Sequence, residues 1–246
     1  METVTKTGYW ASHEYKRSSV GDLEGFCGWR PLLECIKHFS RERDRAFIST
    51  LFETGGRVSE VLQLRKENFE VADETWLLCR NMSLEKRYKK LHGYVDHSGR
   101  QRWLTEKIDS VRRPFPIRLN EPLVQYLTEW LSKLEQPSEM LFPSPVKPGK
   151  PLTRFWAYML FSRMEKKLSK RLMQDLGFVN RKGESIDSFY PHWFRAQRAS
   201  QLALDYGFSS DDLINFFEWK NMGTALHYAR LSWRGLATKM VAHTYV

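Results

Sequence analysis

The sequence is short of the features that define several large classes of protein. It has three cysteines, Cys27, Cys35 and Cys79, none in a C-x-x-C pair and none set among clustered histidines. That spacing excludes a disulfide framework and a zinc finger, and it makes a reducing interior the expected setting. The longest apolar run, FWAYMLF from Phe155 to Phe161, falls far short of the roughly 18 residues needed to cross a bilayer. The opening METVTKTGYW lacks the apolar segment of a secretory signal. No carboxylates gather at metal-ligand spacing, and no segment repeats.

What is present is a chain of 246 residues, 41% hydrophobic and 28% charged, with nine tryptophans and fifteen phenylalanines to fill a core. That length makes one large domain or two small ones. Its net charge of +10 is unevenly spread. Residues 80–118 hold eleven lysines and arginines against four acids, and residues 147–171 hold eight against Glu165 alone. The rest of the chain is net acidic. Cations confined to two segments fit a polyanion, because each phosphate they neutralise releases a condensed counterion. A merely solubilising face would read the same way from charge alone.

Periodicity predicts a mainly helical fold with a small antiparallel sheet. Residues 1–30 read as a tail or arm. Helices are predicted from Pro31, over Asp44–Glu53, and over Arg57–Arg65 after the Thr54-Gly55-Gly56 break. Glu74–Arg80 and Arg112–Leu119 are strand candidates, the second suited to a sheet edge by its two prolines. About thirty basic, polar residues between them read as a long loop. Further helices are expected after Asn120, from a Thr153 cap to about Leu176, over His192–Tyr206, from Ser210 to Trp219, and from near Thr224.

His192-Trp-Phe-Arg195 places an imidazole and a guanidinium on one helical face, where both can reach one anion. The spacing alone means little. His38/Arg41, His97/Arg100 and His227/Arg230 repeat it.

Order along the chain singles one out. LFETGGRVSEVLQL, residues 51–64, resembles the first box of the tyrosine recombinase (phage-integrase) family, where a Thr-Gly-x-Arg turn and a following acid introduce a catalytic arginine. That box maps onto Arg57 with Glu60. A lysine on a β-hairpin comes next in the family, where this chain has its basic stretch. The His-x-x-Arg box then maps onto His192 and Arg195 in YPHWFRAQRASQLALDYG. Trp219 in FFEWKN stands in the His-or-Trp position, and Tyr228, nine residues on, in that of the nucleophile. The connector LFPSP is similar to the family's as well. TGGRVSE and NMSLEKRYKK resemble the archaeal members most. The resemblance runs from about Pro31 to the C-terminus.

It implies a tyrosine recombinase catalytic domain over 31–246; the thirty residues before it are too few for the family's usual N-terminal clamp domain, so the chain is expected to be either a catalytic-domain fragment or a stand-alone minimal form. The implied activity is site-specific cleavage and rejoining of DNA through a 3′-phosphotyrosyl intermediate, with no metal or other cofactor. The implied partners are double-stranded DNA and three further copies on paired sites, the free chain being a monomer or weak oligomer. The implied setting is the nucleoid or a host cytoplasm, with no membrane. Arg57 and Arg195 would hold the phosphate, His192 take the phenolic proton, Trp219 donate its indole N–H, and Tyr228 attack. Lys86 is the preferred general acid, with Lys89 and Lys90 as alternatives. Arg80, Arg87, Lys89, Lys90, Arg112, Arg113, Arg154 and Lys166 are expected to touch DNA. A type IB topoisomerase shares this chemistry, and a binding protein with an idle site shares the fold.

Overall fold

The computed structural model describes residues 26–84, 88–178, 185–186, 188–220 and 222–229. Lys86, Arg87 and the expected tail up to residue 25 lie outside the described residues.

Pro31 falls in the first turn of helix α1 (Trp29–Lys37), where its missing N–H leaves no bond unmade. Helix α2 (Glu42–Thr54) follows, with Glu42 and Asp44 set in its first turn at the positive end of the dipole. From Ala46 to Thr54 every residue of α2 is buried, apolar and polar alike. A helix covered on all sides is the centre of a core. Its polar side chains find partners: Ser49 donates to the Leu123 carbonyl at 2.7 Å, Thr50 to Ala46 at 2.7 Å and Thr54 to Thr50 at 2.6 Å. Gly55 ends the helix with φ 54°, the left-handed conformation that glycine adopts without strain. Helix α3 (Val58–Leu62) is shorter than the predicted Arg57–Arg65.

The strands are β1 (Phe69–Val71), β2 (Trp76–Cys79), β3 (Tyr88–Val95), β4 (Gln101–Lys107) and β5 (Phe115–Arg118). They form two antiparallel sheets, one ordered β1-β2-β5 and the other the β3–β4 pair. Pro116 therefore sits on an edge strand, as its missing donor requires. The basic stretch predicted as a loop is a hairpin. Its strand residues from Lys89 onward are exposed and a register shift falls between Lys90 and Gly93, so no buried face imposes the alternation that marks a strand. No described helix or other strand packs substantially against it.

Helix α4 (Val124–Ser132) lies against α2. The predicted Thr153–Leu176 helix is two helices, α5 (Arg154–Lys167) and α6 (Lys170–Asp175). Buried Leu168 turns extended, and the Ser169 hydroxyl accepts from the Leu172 N–H to start the second. The Thr153 cap is observed, accepting from Trp156. Helix α7 (Pro191–Asp205) packs on α2, and Gly207 at φ 66° follows its end. Helix α8 (Ser210–Phe217) is capped by Ser209 in a reciprocal box with Asp212 and stops short of Trp219. Helix α9 (Met222–Ala229) packs on α8 and α7. No described helix is long and apolar enough to cross a membrane.

Candidate active site

The turn between α2 and α3 organises the site. Arg57 caps α3 in an extended conformation, and Glu60, buried to 1% exposure, holds it twice. One carboxylate oxygen accepts from the Arg57 backbone N–H at 2.8 Å and the other from its guanidinium at 2.6 Å. The Arg57 side chain is 36% exposed, so a guanidinium oriented from behind still faces solvent.

Arg195 reaches the same turn from α7. It is buried, and one guanidinium nitrogen donates to the Gly55 carbonyl. Its guanidinium carbon lies 4.8 Å from the ring centre of Phe217 and 5.6 Å from that of Trp219. Trp219 stacks on Phe217, ring centres 4.5 Å apart and planes within 12°. It is half-buried against the core, so it braces the pocket whether or not its indole also meets a ligand. His192 lies one turn before Arg195 on α7 and is exposed. Tyr228 belongs to α9, which packs on both α8 and α7; its side chain lies outside the described residues, as do Lys86 and Arg87.

The turn has no room to move. A Cβ on Gly55 would meet the Phe217 ring at 2.2 Å, and one on Gly56 would meet the Met82 methyl at 2.2 Å. The Thr54-Gly55-Gly56 backbone is thus wedged between α8 and the chain leaving β2.

Below the arginine pair lies a second charged layer that the sequence did not single out. Arg198, one turn after Arg195, pairs with Glu121 at 2.5 Å and Glu53 at 3.2 Å, all three being almost wholly buried. Tyr206 donates to Glu121 at 2.6 Å. Burial pushes the Glu53 carboxyl well above the ordinary carboxylate range. Burial raises Glu121 too, but the Arg198 charge and its hydrogen bonds outweigh that and leave it lowered. Burial and the Arg198 charge thus push the two carboxyls in opposite directions. A cleft of about 270 Å³, with Trp29, Arg118, Asn120, Asp205 and Tyr206 among its walls, opens at the opposite end of α7 from His192.

Of the expected DNA contacts, Arg80 is bonded to Glu70 at 2.8 Å and Arg113 to Glu218 at 2.9 Å. Lys89 and Lys90 are exposed on the hairpin, with the Lys90 ammonium 4.8 Å from the Trp103 ring centre. Arg154 and Lys166 are exposed on α5. Arg112 does not belong with them. It is 2% exposed, donates to the Thr54 carbonyl at 2.6 Å, and lies 3.6 Å from the centre of the Phe115 ring. Sequence counts it with the basic stretch because its burial is set by β5 and α8, which meet only in the fold. Phe217 was missed for the same reason: in a chain rich in phenylalanine nothing marks the one ring that carries the site.

The phage integrase family model matches residues 31–233, most of the chain and all of this site. The chain belongs to the phage integrase family. Comparison with curated protein sequences gave no match. Among solved structures, the integrase is similar to the Tn1549 transposon integrase (residues 82–397) in complex with circular intermediate DNA, with a TM-score of 0.52 and 18% identity. That match covers 99% of this chain and 68% of the other. It is also similar to the Y379F form of that integrase bound to transposon right end DNA, with a TM-score of 0.55, 17% identity, and coverage of 86% and 62%. These similarities establish the fold, a mostly helical tyrosine recombinase catalytic domain with small antiparallel sheets.

Proposed function

We propose that this integrase cuts and rejoins DNA at specific sites through a tyrosine–phosphate bond, with Tyr228 as the nucleophile. The reading rests chiefly on one observation: Arg57 and Arg195, far apart in sequence, are tied to the same four-residue turn, one through Glu60 and one through the Gly55 carbonyl. Two guanidinium forks held there suit the two non-bridging oxygens of one phosphodiester. Positive charge fixed in advance stabilises the phosphorane more than the ground state, which is where such sites gain most of their rate.

In the step itself the Tyr228 phenolic oxygen attacks phosphorus and its proton passes to His192. The bond from phosphorus to the 5′ oxygen breaks, and that oxygen takes a proton from a lysine of the basic stretch, Lys86 by preference. The products are a 3′-phosphotyrosyl bond and a 5′-hydroxyl, and attack by another 5′-hydroxyl reverses the chemistry on a new strand. Trp219 contributes a rigid wall and an N–H donor. Exposed Lys89, Lys90, Arg154 and Lys166, with Arg80 and Arg113, track the phosphate backbone. Paired DNA sites bring four copies together, the free chain being a monomer or weak oligomer, and the work is done on DNA in the nucleoid or a host cytoplasm.

The test is a pool of nicked suicide duplexes with randomised sequence around the nick, incubated with the full chain and assayed for covalent adduct. Wild type forms an adduct enriched in particular sequences, and Tyr228→Phe forms none. Binding of the pool without any adduct from wild type contradicts the reading.

A further inference from the structure

Arg112 is a buried cation that the proposed chemistry does not use. Its Nη1 donates to the Thr54 carbonyl at 2.6 Å, and Arg195 donates to the next carbonyl, that of Gly55. The first oxygen belongs to the last residue of α2 and the second to the Gly55 that caps it, the helix end where carbonyls lack partners and the dipole is negative. Two guanidinium groups therefore cap one helix end side by side. The rest of the Arg112 fork is boxed by rings: Phe115 at 3.6 Å, Phe216 at 4.5 Å and Phe217 at 5.6 Å. Phe217 is the ring that Arg195 and Trp219 also rest on and that closes over Gly55.

The backbone of Arg112 makes the second connection. Its N–H donates to the Met82 carbonyl at 2.8 Å, beside the Ser83–Val111 bridge and the Leu84–Ser110 bond that close the root of the β3–β4 hairpin. The Met82 side chain is the one wedged against Gly56. One residue thus touches the arginine turn, the ring platform under Trp219, and the root of the hairpin that extends the basic stretch.

We propose that Arg112 is a positioning residue for phosphodiester cleavage, locking the Thr54–Arg57 turn and the Phe217 platform to the hairpin root so that Arg57 and Arg195 meet the phosphate in register. The proposal rests on the recombinase reading above. Burying a third cation here is unfavourable in itself: desolvation and the neighbouring charge of Arg195 bring the Arg112 pKa down to about 9. A thioether would fill the ring box without that penalty, so a purely structural role would leave Arg112→Met folded and active.

The experiment measures single-turnover adduct formation at saturating nicked-duplex pool for wild type, R112M and R112K, alongside DNA affinity and thermal unfolding. R112M is expected to keep its DNA affinity within about threefold while its adduct rate falls roughly 100-fold, the scale of a small misplacement of reacting groups. R112K, which keeps one donor for Thr54 but not the planar stack, is expected to fall only about tenfold. A folded variant that cleaves within twofold of wild type overturns the proposal, as does a rate that falls only in step with affinity. If R112M does not melt cooperatively, R112K alone decides by the same limits. Absence of adduct from wild type contradicts the recombinase reading instead.

Discussion

Glu53 and Glu121 show how much one residue's surroundings decide in this protein. Both face Arg198, yet burial raises the Glu53 carboxyl while the Arg198 charge helps to leave Glu121 lowered. Glu53→Gln, which removes a carboxyl whose charged form burial disfavours, is expected to cost less stability than Glu121→Gln. Glu121→Gln removes the closer partner of Arg198, 2.5 Å against 3.2 Å for Glu53, and is expected to be the more destabilising, by at most about 3–5 kcal/mol; denaturant melts of the two variants check this. The pH dependence has a sign. A folded pKa raised above the unfolded value of about 4.3 makes the Glu53 contribution complete below that pH and lost as pH rises through the folded value. Wild type should thus lose stability relative to Glu53→Gln as pH rises. None of this was legible in the sequence, where Glu53 is one letter before a turn and Glu121 one letter after an asparagine. The arginine pair was legible, because Thr-Gly-Gly-Arg and His-x-x-Arg keep their residue types and order whatever surrounds them.

At the scale of elements, caps and breaks were readable and exposed strands were not. Pro31, Thr153, Gly55 and Gly207 act where local chemistry placed them, since capping depends on neighbours in sequence. Ser169 was overlooked because Leu168 continues the apolar spacing while turning extended, a bend made for tertiary packing. The hairpin failed for the opposite reason: with no buried face it has no pattern to read. Its turn is held by Asp96, whose carboxylate accepts from the Ser98 hydroxyl at 2.6 Å, the Arg102 guanidinium at 2.9 Å and the backbone N–H groups of Ser98 and Arg100. The Ser98 and Arg102 bonds bring its pKa down to about 2. A depressed folded value means the turn's support is present above the unfolded carboxylate pKa of about 3.9 and lost as pH falls through about 2. Amide exchange at Ser98 and Arg100 is expected to be slow at pH 5 relative to Asp96→Asn and to converge with it near pH 2. Equal exchange at both pH values would remove Asp96 from its role.

For the whole molecule, the charge asymmetry seen in composition becomes a division of labour. Arg112 and Arg198 are internal cations that hold elements together, while Lys89, Lys90, Arg154 and Lys166 are exposed, where the proposed reading has them meet phosphate. Binding to DNA should therefore weaken steeply with salt, and Lys166→Ala should lower the slope of log affinity against log salt by about 1. Arg112→Met should leave that slope unchanged, because a buried guanidinium releases no counterion. Equilibrium titrations from low to physiological salt separate the two, and an equal change of slope in both would place Arg112 back at the surface.

The central claim is that Tyr228 carries the DNA strand between cleavage and rejoining. Peptide mass spectrometry of the adduct trapped on a nicked duplex tests it most directly. The nucleotide mass is expected on the peptide containing Tyr228, and Tyr228→Phe is expected to abolish the adduct while still binding the duplex. Nucleotide mass on any other residue, or an adduct that persists in Tyr228→Phe, contradicts it.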